Sequence, residues 1–227
     1  MVPVALVLVV LGGCTESGDP PGPSPSSTAS PSASTTAPTT TAAPTSAPVD
    51  PAGVVFPTVD SGVRYTTPDQ AAAAFATEYV GVTTPVLGVF QAGDARSGEV
   101  EVRARAEAAP STVLVRQLAD GNWWVLGATM ANIRLDQPTA GAKIASPVRL
   151  TGGALAYEGH VDVEIRADGA GKPIGSGFVT GGGDVMQPFD GSVPFTAPTV
   201  PYGAIVMVTR SGQDGSVADF VVVRVAF

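Results

Sequence analysis

Cysteine and histidine are almost missing from this chain, with one of each in 227 residues. A single thiol cannot form an internal disulfide, and one Cys with one His cannot supply the four ligands of a structural zinc site. Charge is also scarce, at 14% of residues against roughly a quarter in ordinary domains. What charge there is leans acidic: 12 Lys and Arg stand against 20 Asp and Glu, for a formal net charge of -8. Nucleic-acid binding depends on clustered basic side chains that displace counterions, so nucleic acid is not expected as a partner. The same shortage argues against adsorption to anionic lipid through a basic patch. The residues that are plentiful are Gly (27), Pro (21) and apolar side chains, the last at 44%. That mixture suits turn-rich β structure with a buried core and disfavours coiled coils and helical bundles.

The first folded-looking feature is not a domain. Val4 to Leu11 form an apolar run far shorter than the roughly 20 residues of a membrane-spanning helix. It has the length of a signal-peptide core and is followed by small residues, as a signal peptidase requires. The segment Leu11-Gly12-Gly13-Cys14 resembles the lipobox of bacterial lipoproteins. The resemblance implies cleavage between Gly13 and Cys14, leaving residues 1–13 as a removed signal peptide. It also implies a diacylglyceryl group on the Cys14 thiol, with palmitate-type acylation, and membrane lipid as the first partner. Two buried acyl chains hold a protein stably at about 0.8 kcal/mol per CH₂, where one does not. The chain is therefore expected at the cell membrane, lipid-anchored on the extracytoplasmic face. The positive start usual for a signal peptide is missing before the apolar run.

Residues 14–50 are expected to be the lipidated Cys followed by a disordered Ser/Thr/Pro-rich linker. They hold almost nothing but Ser, Thr, Pro and Ala, so no burial offsets the entropy of ordering them. In an extended polyproline-like state such a spacer reaches on the order of 110 Å, and as a random coil roughly 35 Å.

From Pro51 the composition turns to Val-rich runs broken by Gly and Asp. Residues 51–137 read as a small α+β domain. Thr67-Pro68-Asp69-Gln70 is a capping box with Pro at the first helical position, and Ala71 to Ala76 propagate a helix that Gly81 can end. Phe75 and Tyr79, four apart, should face the core together. Glu99 to Glu107 then alternates strictly, and Thr112–Leu118, Trp123–Ala128 and Ala131–Leu135 follow as strands. Asp120-Gly121-Asn122 marks a hairpin turn. The turn-forming stretch 136–141 divides this part from residues 138–227. There seven short strands are expected, at Ile144–Thr151, Ala154–Glu158, Val161–Ala167, Gly177–Thr180, Gly191–Phe195, Ala204–Thr209 and Phe220–Phe227, enough for a β-sandwich. Tyr157, Phe178, Phe189, Phe195 and Phe220 are expected to fill its core. The fold class is thus mainly β: a small α+β domain followed by an immunoglobulin-like β-sandwich.

In the second part, Ser146-Pro147-Val148-Arg149-Leu150-Thr151-Gly152 and Ala156-Tyr157-Glu158-Gly159-His160-Val161 resemble the start of the Gmad2 module. Pro188-Phe189, Val193-Pro194-Phe195 and Ser211 to Ser216 continue the likeness. The family consists of immunoglobulin-like domains first noted in bacterial spore-germination proteins and found in other envelope proteins. The resemblance implies a sandwich with a binding or assembly role and implies no catalytic residues. The whole resembles lipoproteins of an actinobacterial type.

Few side chains suggest chemistry. Glu99, Glu101 and Glu107 share an expected strand face with Arg103 and Arg105. Their spacing could mimic that of paired glycosidase carboxylates, but an exposed face with compensating charges explains it equally. Trp123 and Trp124 are adjacent and point to opposite strand faces, so one is core and the other is the candidate binding surface. His160 lacks a serine elbow for a triad and reads as structural. Glu158 beside it reads as a buried structural acid, and Asp162 and Glu164 share a wet strand face. Gly175-Ser176-Gly177, Gly181-Gly182-Gly183 and Asp168 to Lys172 lack the spacing of phosphate-binding loops. No cofactor, metal ligand set or catalytic residue is expected. The reading is a membrane-anchored extracytoplasmic lipoprotein with a non-catalytic binding or scaffolding role, its further partner an envelope protein or wall polymer. The alternatives are an enzyme acting on cell-wall polymer and a small-molecule carrier.

Overall fold

The structure is a computed structural model and describes residues 48–227. The signal segment 1–13, the Gly13–Cys14 cleavage site, Cys14 and all but the end of the 14–50 linker lie outside the described residues. The one α-helix, α1, runs Pro68–Ala74 and continues as a widened π-type turn over Phe75–Val80. Thr67 caps it, its hydroxyl accepting the Gln70 N–H at 3.3 Å. The second half of the expected box is altered: the Gln70 side chain pairs with the Thr66 hydroxyl at 3.2 Å instead. Gly81 ends the turn at φ 92°, a conformation that side chains with a Cβ resist. Phe75 and Tyr79 stack at 5.4 Å, as their spacing predicts.

Twelve strands follow. They are β1 (Val86–Leu87), β2 (Gln91–Ala92), β3 (Ser97–Arg103), β4 (Ser111–Gln117), β5 (Trp123–Met130) and β6 (Ile133–Gln137), then β7 (Val148–Ala154), β8 (His160–Ala167), β9 (Gly175–Thr180), β10 (Gln187–Val193), β11 (Tyr202–Arg210) and β12 (Val217–Ala226). The described chain is mainly β, with every pair of named strands antiparallel. The main path is β1-β3-β4-β5-β12-β11-β8-β9, and a second layer of β6, β7 and β10 joins it where β6 pairs with both β5 and β7. Six strands, not seven, follow residue 138. Ala154 closes β7, and the expected strand Ala154–Glu158 is a 3₁₀ turn over Tyr157–Gly159. β3 also stops at Arg103, so Glu107 lies in a turn beyond the strand.

The hydrophobic interior has two parts on opposite sides of β11 and β12. On one side the helix residues Ala71, Ala72, Phe75 and Ala76 meet Val100, Val113 and Val125 of β3–β5, together with Val206, Val208, Phe220 and Val222 of β11 and β12. On the other side Ile205, Met207, Val221 and Val225 of the same two strands meet Leu150, Val163, Ile165 and Phe189 of the sandwich. Alternate residues of β11 and β12 thus serve different cores. A strand covered on both faces has no wet side, which explains why Ala204-Ile205-Val206-Met207-Val208 and Phe220-Val221-Val222-Val223 run without polar alternation. Residues 48–227 accordingly belong to one compact unit.

Polar groups stitch the seam between the two parts. β5 and β12 share the single register pair Val222↔Ala128. Their backbones come close at Gly127, where a Cβ would sit 2.8 Å from the Val222 carbonyl oxygen. The buried Ser111 hydroxyl donates to the Phe220 carbonyl at 3.0 Å and accepts the Phe220 N–H at 3.2 Å. The buried Arg224 of β12 donates to the Asp168 carboxylate and to the Pro51 carbonyl, each at 2.5 Å. Arg166 donates to the Tyr79 carbonyl at the helix end and lies 5.0 Å over its ring.

The aromatic core of the second part differs from expectation. Phe189 is buried and Phe195 packs against the sandwich core. Phe220 is buried on the helix side, edge-on to Phe75 at 6.2 Å. Tyr157 and Phe178 are 63% and 60% exposed, because one sits on the 3₁₀ turn and the other on the outer face of β9.

Candidate functional site

The residues singled out in the sequence are scattered by the fold. Glu99 is exposed on β3, Glu101 pairs with Arg103 at 3.1 Å, and Glu107 has left the strand. This is an ordinary charged face without a facing pair of carboxylates. Trp124 is fully buried and is no part of a surface. Its indole N–H donates to the Asp120 carboxylate at 3.2 Å, and Arg64 lies 4.9 Å over its ring. Burial opposes ionisation of Asp120, but hydrogen bonds from Asn122 and Trp124 and the charge of Arg64 leave its pKa below the usual carboxylate value. Trp123 is partly buried, packs on the helix-side core and meets Phe90 edge-on at 5.3 Å. A hollow of about 420 Å³ lies nearby, lined by Val54, Leu118, Leu126, Arg96 and Arg116, but neither Trp lines it.

His160 is exposed, stacks on Phe178 at 4.9 Å and bonds Asp162 at 2.9 Å. Asp162 also accepts from Arg210 at 2.6 Å. Burial raises the Asp162 pKa, yet the bonds from Arg210 and His160 outweigh it and the carboxyl ends below its ordinary value. Glu164 pairs with Arg166, so this face of β8 abuts the helix end and is only partly wet. Glu158 is exposed, contrary to the expected buried hydrogen bond. It is also the single non-glycine residue with positive φ among the described residues, at 53°, a conformation that strains an L side chain.

That strained residue is the chain neighbour of Tyr157, which lines a polar cleft of about 480 Å³. Five segments meet there: the turn after β3 brings Arg105, the β5–β6 hairpin brings Asn132, and the turn after β7 brings Tyr157. Asp184 comes from the loop before β10, and Thr209, Arg210 and Asp219 come from the ends of β11 and β12. Both parts of the fold contribute, and the cleft lies where sandwich loops gather, a usual place for binding residues. A register shift between Thr209 and Arg210 re-aims the end of β11.

At the base, the Asp219 carboxylate accepts from the Thr209 hydroxyl at 2.9 Å, with the Asn132 amide beside it favouring its charged form. Burial pushes the Asp219 pKa above the ordinary value, against the pull of these bonds and of Arg105. Arg105 has no carboxylate within ion-pair distance among the described residues. The Tyr157 ring lies along the backbone of Gly212, where a Cβ would stand 2.6 Å from it. Gly212 therefore acts as a flat seat that leaves the outer part of the ring in water. None of Asn132, Tyr157 and Asp219 was singled out for a site by sequence reasoning, and Arg105 entered only as a charge on the Glu99 strand face. One signal was available: Asp219 is an acid inside the otherwise apolar run from Val217 to Val223.

Among comparisons with known proteins, residues 132–216 match the model of the Gmad2 family, described as the immunoglobulin-like domain of bacterial spore germination. The match covers a little over a third of the chain, and every cleft segment except the Arg105 turn and the start of β12 lies within it. No curated protein and no solved structure shows significant similarity to the chain.

Proposed function

We propose that this protein is a lipoprotein anchored through Cys14 on the outer face of the cell membrane. Its folded unit binds an envelope component through the Tyr157 cleft and catalyses no reaction. The observation that carries the anchor is the chain's single cysteine, placed directly behind Val4–Leu11 and Gly12-Gly13. The Ser/Thr/Pro-rich stretch that follows gives the folded unit reach from the lipid surface. Support for binding comes from the convergence of five segments on one polar cleft with an exposed aromatic ring at its rim. A role in germination does not follow from the family match.

The anchor is tested by expressing the chain with its own signal segment and partitioning it in a phase-separating detergent. The wild type is expected in the detergent phase and Cys14→Ala in the aqueous phase; equal partition refutes lipidation. The competing enzyme reading has one observation on its side, the half-buried Asp219 with its raised pKa, a common property of general acids. Release of reducing ends from wall polymer by the wild type, lost in Asp219→Asn, would transfer the assignment to catalysis.

A further inference from the structure

We infer that the cleft beside Tyr157 is a subsite for a neutral hexose ring of a glycan. This rests on the binding role proposed above and names the chemistry of its ligand. The lining carries both signs of charge, Arg105 and Arg210 together with Asp184 and Asp219, and Arg210 is already engaged by Asp162 at 2.6 Å. A phosphate or carboxylate brought to the guanidinium groups meets the two acids, and an ammonium group brought to the acids meets the two arginines. A like charge lining the same cleft offsets the attraction of an opposite one. A neutral ligand rich in hydroxyl groups has no such conflict, since each hydroxyl both donates and accepts.

The shape fits the same ligand. A sugar ring has one face of C–H groups and a rim of hydroxyls. Tyr157 offers an exposed aromatic face seated on Gly212, held out by the strained turn at Glu158. The same cleft is lined by Asn132 and Asp219, planar groups that can each engage two neighbouring hydroxyls, with Arg105 as a further donor. Asp219 is already oriented by Thr209, whose hydroxyl donates to its carboxylate at 2.9 Å and accepts its N–H at 3.1 Å, so little order is lost when a ligand arrives. A volume of about 480 Å³ accommodates one or two rings with bridging water.

The test uses the full chain and saturation-transfer NMR with three neutral trisaccharides: triacetylchitotriose, maltotriose and mannotriose. Trigalacturonate and spermidine serve as charged comparators. At least one neutral glycan is expected to receive saturation, strongest at its ring C–H protons. Tyr157→Ala should weaken it tenfold or more while Tyr157→Phe stays within threefold, because the ring face and not the hydroxyl makes the contact. Tyr157 is largely exposed, so both variants should fold, and circular dichroism checks this. Transfer to none of the three glycans, equal binding by Tyr157→Ala, or tighter binding of either charged comparator overturns the inference. Retention of envelope extract on the immobilised chain separates this failure from that of the broader reading. If Tyr157→Ala abolishes retention but the trisaccharides do not compete, the binding role stands and the glycan assignment falls.

Discussion

The two cores that share β11 and β12 are built from different materials. The helix-side core relies on Ala71, Ala72 and Ala76 with Val at nearly every strand position, and one large ring, Phe75, reaches across to Phe220. The sandwich core uses longer aliphatic side chains, with Leu150, Ile165, Ile205 and Met207 fully buried. Geometry accounts for the contrast. Alanines let the helix backbone approach the sheet closely, whereas two sheets stand about 10 Å apart and need long side chains to fill the gap. One pair of strands meets both demands by giving Val206, Val208 and Phe220 to one side and Ile205, Met207 and Val221 to the other.

The strongest way to break this picture is to hollow each core separately. Phe220→Ala on the helix side and Leu150→Ala on the sandwich side should cost about 3–5 and 2–5 kcal/mol, respectively. Shared strands require that each variant shift one common unfolding transition in calorimetry. Two resolved transitions in either variant would mean the cores unfold independently. Next in size is the seam. Arg224→Met leaves Asp168 without its partner and should cost about 3 kcal/mol, read as a lower urea midpoint with the slope unchanged.

Alkaline titration sharpens the contrast further, because Tyr79 sits on the helix side. Burial pushes its pKa up to about 12, with Arg166 pulling it down. The folded state therefore holds the proton longer than the unfolded chain does. This contribution is complete below pH 10 and falls as pH rises toward 12, at up to about 1.4 kcal/mol per pH unit. Tyr79→Phe should lose that part of the alkaline slope, and an unchanged slope would remove Tyr79 from the account. The smallest effect is at the cleft. The Asp219 pKa is raised in the folded state, so its charge disfavours folding once the carboxyl ionises. The melting temperature of Asp219→Asn relative to wild type should rise by about 1–3 °C between pH 3 and pH 7. A difference that stays flat with pH contradicts this burial effect.

Local chemistry was readable in the sequence where neighbours decide the outcome. Thr67, Pro68 and Gly81 bound the helical segment, Gly121 turns the β4–β5 hairpin, and Phe75 meets Tyr79. Long-range outcomes were not readable. The length of β3 was overestimated because alternation persists through Ala104-Arg105-Ala106-Glu107, although Arg105 opens a tight turn, its carbonyl accepting the Ala108 N–H at 3.0 Å. Tyr157 and Phe178 looked like core because aromatic type alone says nothing of which face or turn carries them. Phe220 was rightly expected to be buried, but its neighbours on the helix side come from more than a hundred residues earlier. The cleft escaped notice for the same reason, since its five segments are brought together only by strand order.

The hold of Arg224 on Pro51 has a mechanical consequence. The start of the described chain is fastened to its last strand, and just beyond it the Val55 N–H donates to the Val125 carbonyl at 2.8 Å while the Val125 N–H donates to Phe56 at 2.7 Å. A tug arriving along the backbone at Asp50 has to undo a guanidinium clasp and then these paired bonds before it disturbs α1. Under the anchorage proposed at Cys14, the strain of mooring would fall on a reinforced corner, and the cleft would stay in shape while the leash is taut.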